Sequence, residues 1–408
     1  MLSCATVSKD DSDDEHLSGE ASRFAAHIDR GWGLFERGEF AGARESAILA
    51  RDLCPGGCEA PVLLGAIASA TLQPEAAIEH YARALEIDAD LPEALIPLAQ
   101  IWLLDMQAPS SARELCERAL ETSDLPHIDR LDLRVIAAES AAAENDERCA
   151  RAYIEDADEA PLLRAAMSGT SGESEAAIRI LCGALEDDAP EEEERAVLYR
   201  RCREMALRMA RIYIEYDEAE HAREWLERAI VCDSEDADAW YLLSEAQLRL
   251  GEVGEAMSSS LRVLRLDLAE ELPTWCPSDV LFHAAAREFV DTSDVPELSA
   301  LVAEDAPTPL LCRELPSEEL VLEGMDPRVP AVLLAHRSEV ADSPPQVTAL
   351  VVYRRNVLRA ARSIEQLPQV MAEAILEELA AFYGFSPERR ARLGLPAVPG
   401  SPAKGRAH

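Results

Sequence analysis

Two stretches of this chain, a hundred residues apart, repeat each other. Residues 74–90 read PEAAIEHYARALEIDAD and residues 174–190 read SEAAIRILCGALEDDAP, with nine of seventeen positions identical. In the first stretch Ala77, Tyr81, Ala84 and Leu85 share one helical face, and Asp88 stands at its end. One amphipathic helix pair of this length cannot bury its own apolar face. Copies must therefore stack, with Ala at the crossing points setting a close approach.

More copies follow on either side. Gly38-Glu39-Phe40, then Ala43, Ala47, Ala50 and a stop at Pro55, make the first, and Leu64-Gly65 marks the second, where glycine lets two helices approach closely. The third, 92–125, has Leu98, Ala99, Trp102, Ala112, Cys116 and Ala119, with one extra residue expected in its turn near Gln107–Ser110. Residues 126–160 are helical by period but match poorly. The sixth and seventh pairs, 203–236 and 237–268, place Ala222 and Ala256 34 residues apart.

This period and residue pattern resemble the tetratricopeptide (TPR) repeat. The resemblance implies a mostly α fold: a right-handed α-solenoid of about seven helical hairpins over 23–270, with a degenerate repeat near 126–160. It also implies that the first helix of each hairpin lines a concave groove that binds a protein or peptide. Carried over residue by residue, the groove positions are Trp32 and Glu36, Arg211 and Glu215, and Tyr241, Glu245 and Arg249. The Lys, Asn and Arg set that clamps a C-terminal carboxylate in this family is not found.

Charge narrows the partner. Asp plus Glu number 78 against 39 Lys plus Arg, a formal net charge of −39. Such a surface repels nucleic acid and anionic membrane and favours a basic partner. The same acid also keeps a long helical array soluble, whatever it binds. Ten cysteines are scattered without a CxxC pair; Cys54 and Cys58 lack second-pair partners at zinc spacing, so buried thiols in a reducing compartment are expected. No apolar leader and no run of 18 apolar residues is seen, which points to a cytoplasmic protein without a membrane span. Residues 1–22 and 396–408 are read as disordered.

Beyond residue 270 the pattern changes. Prolines at 273, 277, 296, 307, 309 and 316 interrupt the chain, and short apolar runs at 298–303, 332–335 and 348–353 suggest strands. Helices are expected at 281–290 and 367–383, the latter stopped by Gly384. Residues 271–395 thus read as a small α+β domain.

Three segments of it, PELSALVAEDAP (296–307), TALVVYRRNVLRAA (348–361) and ILEELAAFYGFSPERRARLGL (375–395), resemble the bacterial minimal zincin-like metallopeptidases. That family carries HExxHxxG on a terminal helix: two imidazoles one turn apart bind zinc, and the intervening Glu polarises the metal-bound water. Laid on this chain, the first His position holds Glu377, the catalytic Glu is Glu378, and the second His position holds Ala381, with Gly384 at the family's glycine. The motif has become EExxA. An Ala methyl donates no electron pair, and Ser386 and Glu388 do not rebuild the site. The expectation is therefore no catalytic residue, no metal and no cofactor, and a scaffold fused to an inactive domain. The alternative is an active zinc-dependent hydrolase with atypical ligands, its repeats recruiting substrate, in which Glu377 and Glu378 form a rearranged carboxylate site; His283 or His336 could add to it, though a lone His in an apolar run is more often a packed side chain.

No Walker A loop, GxGxxG or GxSxG is present; Gly31-Trp32-Gly33 lies within a helical repeat, with Glu36 where a third glycine is needed. Residues 323–327, EGMDP, read as a turn. Arg354, Arg355 and Arg359 form a basic patch expected to pair with local acid.

Overall fold

The computed structural model describes residues 11–121, 125–155, 160–167, 172–182, 192–301, 308–336, 346–361 and 363–396. Among the described residues seven helical hairpins come first: α1 (Asp11–Glu36) with α2 (Phe40–Leu53), α3 (Glu59–Ala70) with α4 (Pro74–Ile87), α5 (Pro92–Gln100) with α6 (Pro109–Leu120), α7 (His127–Ala143) with α8 (Glu147–Glu155), α9 (Ala160–Ala166) with α10 (Gly172–Cys182), α11 (Glu192–Glu215) with α12 (Ala219–Cys232), and α13 (Ala237–Arg249) with α14 (Val253–Ala269). Helix α1 begins at Asp11, inside the segment expected to be disordered. Residues 1–10, the end of the second motif copy (183–190) and residues 397–408 lie outside the described residues.

The chain divides into two compact units, residues 1–234 and 235–408. The first six hairpins lie in the first unit and the seventh in the second. In the first unit Ala43, Ala47, Ala77, Ala84, Ala94, Ala112 and Ala119 are buried at the helix crossings, as small-residue stacking requires. A Cβ built on Gly65 would sit 2.8 Å from the Tyr81 ring, so this glycine sets how closely α3 meets α4.

Hairpin turns share one device. Gly38, Leu72, Gln107, Asn145, Asp217 and Gly251 are left-handed, with φ between 50° and 78°, one in each hairpin whose turn is described. The next N–H bonds back to the carbonyl five residues earlier: Glu39 to Leu34, Gln73 to Ala68, Asp146 to Ala141, Glu218 to Tyr213 and Glu252 to Gln247. The third hairpin departs: Ala108 N–H reaches Trp102, six residues back. Its extra residue is absorbed not in the turn but in a π-helical stretch, Ile101–Asp105, closed by Met106 N–H on the Ile101 carbonyl.

In the second unit, α15 (Asp279–Thr292) and α16 (Pro296–Leu301) precede β1 (Leu310–Arg313), α17 (Glu318–Leu322), β2 (Ala331–His336), β3 (Gln346–Tyr353), α18 (Arg354–Ala360), α19 (Leu367–Tyr383) and α20 (Pro387–Arg392). The sheet order is β1-β3-β2, with β1 parallel and β2 antiparallel to β3 and an irregularity at Leu334/Ala335. Alternation sends Leu333, Leu350 and Val352 into a core with Phe282 and Val290 of α15 and Met371, Ile375 and Leu379 of α19. Ala349, Val351 and Tyr353 pack on the other face with Met325 and Val329.

The strand expected at 298–303 is a correction. Leu298 and Leu301 are buried while Ser299 and Ala300 are exposed, a helical period, and Pro296 opens α16. Residues 302 and 303 lie outside the described residues. Strand β1 went unread in the sequence because it is four residues long and follows Pro309; its partner is forty residues away. Helix α19 ends where expected, with Gly384 left-handed at φ 64° and Phe385 N–H returning to the Ala380 carbonyl.

Candidate functional site

Helix α19 carries the EExxA positions. The Gly384 turn lets the chain double back, Ser386 caps α20 by accepting from Arg389 N–H, and α20 brings Arg390 over the helix it has just left. Arg390 is buried. Its Nη2 lies 2.8 and 2.6 Å from the two Glu377 oxygens, and its Nε donates to the Pro396 carbonyl at 3.0 Å. Beside it, Arg389 lies over the Phe385 ring and pairs with Glu297, tying α20 to α16.

One residue on, Glu378 is half-buried and its Oε1 accepts the Leu333 backbone N–H at 2.7 Å. Burial pushes its carboxyl above the ordinary range, and the Leu333 N–H offsets part of that. Ala381 is exposed, as are His283 on α15 and His336 at the end of β2. Glu388 is exposed in the first turn of α20.

Zinc requires free nitrogen, sulfur or oxygen donors converging on one point. Here the carboxylate at the first ligand position faces a guanidinium, the second position is a methyl, and the next carboxylate is occupied by a backbone amide. Among the described residues no group of three or more His, Cys, Asp or Glu side chains is placed to hold a metal ion. Among the described residues, the side chains at 377, 378 and 381 do not fit zinc.

The groove positions fall into separate settings. Trp32 is half-buried and packs edge-to-face on Phe35 at 5.5 Å, with Glu36 exposed one turn on. Arg211 and Glu215 are exposed on α11. Glu245 and Arg249 pair at 3.0 Å on α13. Tyr241 is engaged: its hydroxyl donates to Asp326 Oδ2 at 3.0 Å, and the Arg328 guanidinium lies 4.8 Å from its ring centre.

Several charged residues escaped the sequence reading. In the first unit, Arg201 bonds Asp129 at 2.6 Å and Asp132 at 2.8 Å, and Arg208 bonds Asp132 and, with two nitrogens, Glu139. These join α7 to α11. Beside them a cleft of about 270 Å³ is lined by Glu93, Asp129, Asp132 and Arg201 against Ile96 and two prolines. Burial raises the Asp129 carboxyl, and Arg201 counters it. In the second unit Asp267 lies within α14 with its side chain 1% exposed, held by Arg328 and Arg359. Arg354 and Arg355 pair with Glu314, as a patch meeting local acid should. No spacing motif announces these pairs; each joins residues distant in sequence.

The cysteines are partly as expected. Those described are all free thiols, but only Cys116 and Cys202 are buried. No helix among the described residues is long and apolar enough to cross a membrane.

Comparison with known proteins finds two family matches, both within the second unit. Residues 299–395 match the zincin-like metallopeptidase family, and residues 237–270 match a tetratricopeptide repeat. No curated protein matches the chain. Among solved structures, PilF of Pseudomonas aeruginosa is 17% identical, covering 62% of this chain and 95% of its own, with a TM-score of 0.44. The type IV pilus biogenesis factor PilW is 13% identical over 61% of this chain and 95% of its own, with a TM-score of 0.46. A TPR protein of Thermus thermophilus is 19% identical over 52% and 93%, with a TM-score of 0.35. Such scores carry no function across. The chain is thus similar to a tetratricopeptide repeat over residues 237–270 and to the zincin-like metallopeptidases over residues 299–395.

Proposed function

We propose that this protein is a cytoplasmic scaffold whose repeats hold a basic protein or peptide, and whose zincin-like domain does not work as a zinc peptidase. The observation that carries the second half is Arg390 on Glu377: a buried cation from the next helix already pairs with the carboxylate aligned with the first ligand position. Supporting the first half are the net charge of −39 and the cleft between α5, α7 and α11, where three carboxylates outnumber one guanidinium. The same charge disfavours nucleic acid and anionic membrane, and the free thiols suit a reducing compartment.

The competing reading, an atypical metallohydrolase, has one observation in its favour. Glu378 is a half-buried carboxyl with a raised proton affinity at the family's catalytic position, the kind of shift found in general acids and bases.

Metal analysis of the purified full chain, with peptide turnover assayed with and without chelator, separates the two. The scaffold reading expects no stoichiometric zinc and no chelator-sensitive turnover. One equivalent of zinc, lost in Glu377→Ala, together with turnover abolished in Glu378→Gln, would replace it by the hydrolase reading. A pull-down comparing the full chain with a Glu93→Gln/Asp129→Asn variant tests the partner's basic character.

A further inference from the structure

The seventh hairpin uses its first-helix face on the chain itself. The turn before β2, Asp326-Pro327-Arg328, lies against α13 and α14. Arg328 Nη1 reaches Asp238 Oδ1 on α13, its Nε and Nη2 reach the two oxygens of Asp267 on α14 at 2.9 and 3.1 Å, and its guanidinium roofs the Tyr241 ring. The Tyr241 hydroxyl closes the contact on Asp326, whose other oxygen accepts the Arg328 backbone N–H at 2.8 Å. Asn356 holds the same turn from behind, its amide donating to the Pro327 and Val329 carbonyls at 3.0 and 2.8 Å. The Arg328 side chain is 12% exposed and that of Asp267 is 1%.

A guanidinium gripped by two carboxylates from two helices and stacked on an aromatic ring is a recognition geometry for arginine, bidentate on one acid and cation–π on the ring. Tyr241 is also one of the positions at which the repeat pattern expects a partner. We propose that the turn 326–328 is the ligand of the seventh repeat, bound in cis. The face of α13 around Tyr241 is therefore an arginine-peptide site, filled by the zincin-like domain and closed to outside partners while Arg328 stays in place. The proposal rests on the reading of the repeats as protein-binding surfaces, but its test uses no outside partner. Its failure would leave the zinc and pull-down results of the scaffold reading untouched.

The probe is a fluorescein-labelled peptide of residues 323–330, EGMDPRVP, titrated by polarisation against the full chain and its Arg328→Gln variant. The variant is expected to bind the peptide at least ten-fold tighter than the parent, and a peptide with Gln in place of Arg is expected to lose that gain. Equal affinity for the two proteins, or binding to neither, overturns the proposal. Tyr241→Phe, which removes only the hydroxyl contact, is read by hydrogen exchange: faster exchange at the amides of 325–329 supports a docked turn, and unchanged exchange counts against it. The second measurement decides the matter if Arg328→Gln does not fold.

Discussion

Glu377 and Arg390, thirteen residues apart, face each other across the Gly384 turn, a single guanidinium nitrogen contacting both carboxylate oxygens at 2.8 and 2.6 Å. In a zincin helix the side chain at the first of these positions points at a metal. Here it points at an arginine supplied by the next helix.

That pairing predicts coupled stability. Arg390→Gln leaves Glu377 without its partner, and Glu377→Gln strands a buried guanidinium. Breaking a fully buried pair from one side costs about 3–5 kcal/mol, but Glu377 is only partly buried, so about 2 kcal/mol is expected. The double variant should lose less than the sum of the singles. Calorimetry on the transition of the second unit, without and with chelator, measures this; additive losses would mean that the two residues act independently.

Glu378 predicts a pH dependence. Its folded carboxyl holds a proton more tightly than the unfolded one, because burial penalises the charge. The group therefore favours the folded state fully below its unfolded pKa, and this contribution is lost as pH rises through the raised folded pKa. Glu378→Gln keeps an oxygen for the Leu333 N–H and carries no charge. The variant should equal the parent in acid and become the more stable of the two above the ordinary carboxyl range. Melting temperatures across pH 4 to 8, flat in their difference, would show that burial does not govern this group.

Leu72 predicts a gain. It is left-handed at φ 56°, where a side chain costs about 1–2 kcal/mol, and it is 48% exposed, so little packing is lost with it. Leu72→Gly should stabilise the first unit by about 1 kcal/mol. Denaturant unfolding followed by circular dichroism reads the midpoint shift; a fall in midpoint would mean that Leu72 packs in a way its exposure hides.

Gly65 predicts a loss. An added methyl would lie 2.8–2.9 Å from three carbons of the Tyr81 ring, which is itself buried and cannot swing away freely. Gly65→Ala should cost about 1–3 kcal/mol by overpacking. Pairing it with Tyr81→Leu should recover part of that cost, and the same unfolding measurement on both variants tests it.

Much of this was legible one residue at a time. The 3.6-residue period and the alanines at the crossings announce the hairpins, because stacked helices leave no room for more than a methyl. Gly384 announces the end of α19, because only a left-handed residue lets the chain turn there. These are local facts, and local sequence determines them. The tertiary structure decided the rest. That Glu377 meets Arg390, that Asp267 is a buried clamp, that Tyr241 is covered by Arg328, and that the extra residue of the third hairpin winds into a π-helical stretch all depend on where distant segments come to lie. An ion pair needs two side chains within a few ångströms, and no spacing along the chain records which arginine arrives beside which acid until the fold has brought them together.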